Sequence, residues 1–156
     1  MQQGGNRGLE GKVAIVTGGA RNIGRAIVLA LAGEGAAVIV NARSDAEAAR
    51  TVAAEVEALG GRALPLIANV TDEAAVARMV EAAIAAFGRI DILVSNAALR
   101  RQTPFLEMSF SEWREILSVA LDGAFLTARA CVPHMIAAGG CAVVTLGGVS
   151  TDVGTR

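Results

Sequence analysis

A chain of 156 residues is long enough for one domain with a real core and too short for two ordinary ones. With 53% hydrophobic and only 19% charged residues it is no disordered segment, and a formal net charge of −1 leaves no basic field to recruit nucleic acid or anionic lipid. The opening MQQGGNRGLEGK is polar and glycine-rich, and no window reaches the roughly 18 uninterrupted apolar residues of a membrane span. The expectation is a cytoplasmic chain that uses neither a membrane nor a nucleic acid.

Taken in order, residues 1–10 read as a flexible tail and 11–156 as a single unit. The run KVAIV (12–16) reads as a first strand, and TGGARNIG (17–24) as a glycine-rich turn into a first helix. AAVIV (36–40) is a second strand, after which Ser44 with Glu47 fits a capping box for a helix that Gly60-Gly61 stops. A third strand, ALPLI (63–67), is followed by Asp72, a suitable N-cap. Val76, Met79, Val80, Ala83 and Phe87 then repeat with helical spacing. DILVS (91–95) is the fourth strand. Ser109 with Glu112 opens a fourth helix whose apolar positions are Trp113, Ile116, Leu117, Ala120, Leu121 and Ala124, and Gly139-Gly140 closes it before a fifth strand, AVVTL (142–146). Strands alternating with helices imply βαβ units with right-handed crossovers, hence a parallel sheet with helices on both faces. The chain carries no internal repeat, and its two cysteines, Cys131 and Cys141, lack metal-ligand spacing and read as buried thiols. No metal site is expected.

The turn after the first strand carries the first chemistry. Glycines there let the chain turn sharply and come close to a pyrophosphate, while the helix N-terminus offers free N–H groups and a positive dipole end. Gly18 and Gly24 flank Asn22, which stands where a middle glycine is usual; Asn enters left-handed backbone more readily than other side chains, so the turn survives. With NVTD (69–72), GRIDILVSNAA (88–98), PFLEMSFSEW (104–113), GAFLTARA (123–130) and GCAVVTL (140–146), this turn resembles the short-chain dehydrogenase/reductase family, in particular its ketoacyl-carrier-protein-reductase-like members. The resemblance runs from Leu9 over nearly the whole chain. It implies an α/β, Rossmann-like doubly wound parallel sheet of strand order 3-2-1-4-5, truncated after the fifth strand. It also implies that Gly18, Arg21, Asn22, Ile23, Gly24, Arg43, Asn69, Val70, Asn96, Ala97 and Ala98 bind the cofactor. Ala98 departs from the family pattern by adding a methyl where a glycine lets the cofactor ribose approach.

Which dinucleotide follows from charge. Members that prefer NAD place an acid at the end of the second strand for the ribose 2′-hydroxyl; here that residue is Ala42, with Arg43 directly after it and Arg21 in the phosphate turn. Two guanidiniums suit a 2′-phosphate, so NADP(H) is the expected cofactor. The family's catalytic set is a helix Asn, a Ser and a Tyr-x-x-x-Lys pair. At the matching positions this chain has Ala120 and Gly148, and it contains no tyrosine, so no catalytic residue is assigned. Ser150 is a poor substitute two residues further on, about 7 Å along a strand. His134, the only histidine, and Asp91 read as structural, and Arg100 and Arg101 as surface arginines in a substrate-bordering loop. The leading reading is the cofactor-binding portion of an NADP(H)-dependent oxidoreductase acting on a carbonyl or alcohol substrate. Alternatives are an inactive nucleotide- or partner-binding member, or one half of a two-chain enzyme. The apolar fifth strand and fourth helix suggest a homo-oligomer or a complementing chain.

Overall fold

The computed structural model describes residues 8–140 and 142–147. Five strands, β1 (Val13–Val16), β2 (Ala37–Ala42), β3 (Arg62–Ile67), β4 (Ile92–Ser95) and β5 (Ala142–Thr145), form one sheet in the order β3-β2-β1-β4-β5. Every pairing is parallel, with Val16 opposite both Val40 and Val94. The doubly wound order expected from the sequence is the one observed. The helices are α1 (Asn22–Gly33), α2 (Ala46–Ala58), α3 (Glu73–Phe87), α4 (Phe110–Leu117) and α5 (Gly123–Ala137); a single π turn, Ser118–Asp122, joins α4 to α5.

The central strands β1 and β2 are buried along their whole length, as parallel strands covered on both faces must be. Alternation divides the core in two. Val16, Val38, Val40 and Val94 point to one face, against Val28 and Ala32 of α1 and Ala49, Val52 and Val56 of α2. Ile15, Ile39 and Leu93 point to the other, against Met79, Val80 and Ala83 of α3 and Cys131 and Met135 of α5. Each fully buried Val, Ile or Leu here contributes roughly 1.5–3 kcal/mol, which makes this two-sided core the main support of the sheet.

Several details differ from the sequence reading. β2 runs two residues further than AAVIV, so Asn41 and Ala42 belong to the strand. The cap of α2 is Asp45, whose carboxylate accepts from the Ala48 N–H at 3.0 Å, rather than Ser44. Aspartate one residue later reaches the same orphan donors with a charged acceptor. Asp72 and Ser109 cap α3 and α4 as expected, but Glu112 does not close a capping box: its carboxylate takes the Thr103 hydroxyl. Leu9, placed in the tail by the sequence reading, packs against the core, and its N–H donates to Glu34 O at 3.0 Å.

The largest difference concerns the fourth helix. Its apolar positions from Trp113 to Ala124 are helical but none is buried; the buried side of α5 is Gly123, Thr127, Cys131 and Met135. The continuous helical stretch Phe110–Ala137 is long and apolar enough by length and composition to cross a membrane, its most apolar 18-residue window having mean hydropathy 1.4. In this fold its second part, α5, lays one face on β4 and α3, and no residue of α4 is buried. Cys131 is buried, and burial pushes its thiol up to about 12, which disfavours the thiolate. Cys141 lies outside the described residues.

Candidate nucleotide-binding site

The parallel sheet brings the C-terminal ends of β1, β2, β3 and β4 to one edge, where open α/β sheets take their ligands. All eleven expected cofactor residues lie in the segments leaving these four strands or in the first turn of α1, Arg43 directly after β2.

The turn after β1 is shaped by close approach. Gly18 has φ +63° and Asn22 φ +49°, both left-handed, so the asparagine occupies the conformation that its replacement of a glycine demands. Gly24 is buried, and a Cβ there would fall 2.0 Å from Gly18 O and 2.6 Å from Asn96 Nδ2. Nothing larger than glycine fits. A Cβ at Gly18 would meet Ala97 Cα at 3.1 Å, so the turn also lies tightly on the segment after β4. Arg21 occupies the N-cap of α1 in extended backbone and makes no side-chain cap, which leaves the first-turn N–H groups without a side-chain acceptor. A glycine-lined backbone cradle under an uncapped helix N-terminus fits a pyrophosphate.

Two side chains fasten the cradle to the sheet. Thr17, buried, donates its hydroxyl to Val94 O at 3.4 Å and accepts from the N–H groups of Asn96 and Ala97 at 3.0 and 3.1 Å. Asn96 returns its side-chain amide to Thr17 O and Gly18 O, both at 3.0 Å. On the other side, Asn69 forms a turn of its own: its Oδ1 accepts from the N–H and hydroxyl of Thr71 at 3.2 and 3.0 Å. Val70, buried, touches the place where a Cβ on Gly123 would stand, 2.6 Å away, so the glycine of α5 lets the helix close on this loop.

Thr17 and Asn41 were not among the expected site residues. The signal for Asn41 is present in the sequence: it is the one polar residue in the otherwise apolar AVIVNA. For Thr17 the only signal is its place in the turn motif, because its partners are 77 to 80 residues away.

Other candidates lie apart from the cradle. Asp91 precedes β4, at the opposite end of the sheet. It holds Lys12 at 3.2 Å, the Val13 N–H at 3.0 Å and Arg89 Nε at 2.8 Å. Arg101 pairs with Glu115, Arg100 is exposed, and His134 is half-buried in the last turn of α5. Ala120 sits exposed in the π turn. Gly148 and Ser150 lie outside the described residues. Among the described residues no His, Cys, Asp and Glu group has the arrangement of a metal site.

The short chain dehydrogenase family profile matches residues 12–156. A D-threitol dehydrogenase of Mycolicibacterium smegmatis is 39% identical over 145 residues, 93% of this chain and 55% of that protein. A 3-oxoacyl-[acyl-carrier-protein] reductase, FabG, of Staphylococcus aureus is 36% identical over 143 residues, 92% of this chain and 58% of that protein. Among solved structures, a Sinorhizobium meliloti 1021 chain described as of short-chain alcohol dehydrogenase type superposes with TM-score 0.90 at 38% identity, covering 97% of this chain and 60% of that one. A double mutant of a Serratia marcescens short-chain dehydrogenase/reductase gives 0.86 at 36% identity, over 92% and 58%. The chain thus spans between half and three-fifths of the length of these relatives. Profile, sequence relatives and superposed sheet agree: this chain belongs to the short-chain dehydrogenase family.

Proposed function

We propose that residues 11–156 form the NADP(H)-binding unit of an oxidoreductase that interconverts a carbonyl and an alcohol. The observation that carries the cofactor choice is the end of β2. Ala42 is buried where an acid would accept a ribose 2′-hydroxyl, and Arg43, exposed, follows at once. The phosphate turn is tied to that corner, since Gly19 N–H donates to Asn41 O at 2.8 Å, and Arg21 on the same turn is also exposed. A 2′-phosphate between these elements gains two guanidinium partners and meets no carboxylate from the strand end. Gly18, Asn22, Ile23 and Gly24 then take the pyrophosphate, Asn69 and Val70 the adenine side, and Asn96, Ala97 and Ala98 the nicotinamide ribose. The bound dinucleotide supplies or accepts the hydride. The related proteins' names span a polyol and a 3-oxoacyl substrate, which supports carbonyl/alcohol exchange as the class and no narrower one.

Calorimetric titration of the purified chain tests this. NADPH should bind about tenfold or more tightly than NADH, the worth of one charge-assisted phosphate contact. Arg43→Ala should remove most of the difference, and Gly24→Ala should abolish binding of both by closing the cradle. Equal affinities, or a preference for NADH, would overturn the reading. A second reading, a member that binds nucleotide or a partner without hydride transfer, is favoured by Ala120 in the π turn, where the family resemblance calls for an asparagine.

A further inference from the structure

We infer that Asn41 is a positioning residue of the nucleotide site, a clamp that sets the phosphate turn, the 2′-phosphate corner and the adenine wall at fixed spacing. This rests on the nucleotide reading above. Asn41 is 1% exposed, on a strand whose other residues are all buried and apolar. A carboxamide there costs desolvation that an apolar side chain of the same branched shape would not, so its hydrogen bonds must account for it.

They do so by joining three segments. Nδ2 donates toward Ala68 O at 3.1 Å, Ala42 O at 3.3 Å and Leu66 O at 3.4 Å, while Oδ1 accepts from Gly18 N–H at 3.4 Å. The partners dictate the orientation of the amide, since three carbonyls can only accept and a backbone N–H can only donate. Backbone bonds run in parallel with the side chain: Gly19 N–H to Asn41 O at 2.8 Å and Ala68 N–H to Ala42 O at 3.0 Å. Gly18 and Gly19 carry the phosphate turn, Ala42 leads into Arg43, and Ala68 leads into Asn69 and Val70. One side chain therefore touches every segment that would surround the adenosine half of a dinucleotide. Three of its four bonds are 3.3–3.4 Å long, at the weak end of the range, so the clamp adds little to folding stability. Its consequence is geometric.

The test uses the full chain and adenosine 2′,5′-bisphosphate as the probe. Asn41→Leu keeps the branched shape and removes every side-chain bond, and it should weaken the probe by about tenfold, the worth of one charge-assisted phosphate contact moved out of place. Its Tm should fall only slightly. Asn41→Thr, which retains a hydroxyl, should restore part of the affinity. Unchanged affinity in Asn41→Leu overturns the assignment and leaves the nucleotide reading intact. Failure of the wild-type chain to bind the probe or NADPH overturns both. If neither variant folds, nuclear magnetic resonance of the wild-type chain decides. Probe-induced shifts of the Asn41 side-chain amide together with the Gly18 and Asn69 N–H groups support the clamp, and a stationary Asn41 amide overturns it.

Discussion

Four polar side chains are buried among the described residues, Thr17, Asn41, Asp91 and Thr127, and each has its partners. Three act at a distance along the chain, while Thr127 turns its hydroxyl back to Gly123 O at 2.7 Å within α5. Asp91 shows how such a residue sets pH behaviour. Burial alone raises its carboxyl, but the hydrogen bond from Arg89, the Val13 N–H and Lys12 together outweigh burial and hold it below the ordinary range. A carboxyl lowered in the folded state stabilises the protein fully above its unfolded value of about 4, and that stabilisation is lost as pH falls through the folded value. Asp91→Asn should therefore lower Tm by about 4 °C or more at neutral pH and flatten the acid limb of the stability curve. Thermal melts of both proteins across the acid range check this; parallel curves would mean the carboxylate contributes no proton linkage. Glu47→Gln, which touches an exposed pair with Arg50, serves as the unchanged control.

At the scale of elements, α4, α5 and β5 share one feature: each has an apolar side that nothing in the described chain covers. Leu121 and Phe125 are each 61% exposed, Ile136 is 69% exposed, and all four residues of β5 are exposed. The aromatic segment before and within α4, Phe105, Phe110 and Trp113, lines a shallow hollow of about 390 Å³ together with Met108 and Ser109. An edge strand of bare Val143 and Val144 offers unpaired backbone groups as well as apolar surface. Exposed apolar area on this scale favours association. The isolated chain should self-associate in light scattering, and Phe125→Glu with Val143→Lys should shift it toward a monomer without loss of helical circular dichroism. A clean monomer before substitution would show that the chain covers these faces itself.

For the whole molecule, the described residues build the phosphate and adenosine ends of the proposed site, and the prediction at this scale concerns the 156-residue chain by itself. Thr17, Asn96 and Asn41 hold the cradle, but the π turn presents Ala120, and the chain offers no phenol. Hydride transfer to a carbonyl needs a proton for the developing alkoxide, and a positioned general acid contributes about 10²–10⁴-fold. The 156-residue chain should therefore bind NADPH yet leave its absorbance unchanged over a panel of ketones and ketoesters, matching a heat-killed blank. Clear turnover would show that a residue to which no catalytic role is assigned, Ser150 first among them, acts as a catalyst.

Sequence alone determined what depends on neighbours along the chain. Apolar runs bounded by glycines gave the five strands, Asp72 and Ser109 declared helix starts, and Asn22 announced a left-handed turn, because each of these is decided within a few residues. The strand order and the glycine cradle were legible through the family resemblance. Tertiary structure decided the rest. Periodicity marks an amphipathic helix but not which side meets the core: Gly123, Thr127, Cys131 and Met135 won over the stripe from Trp113 to Ala124 because small and slender residues let α5 close on Val70 and β4. Only the folded sheet brings Thr17 to Asn96, or Asn41 to both Gly18 and Ala68. These pairings join residues from 23 to 79 positions apart, and a polar residue in an apolar strand does not name its partner until the strands lie side by side.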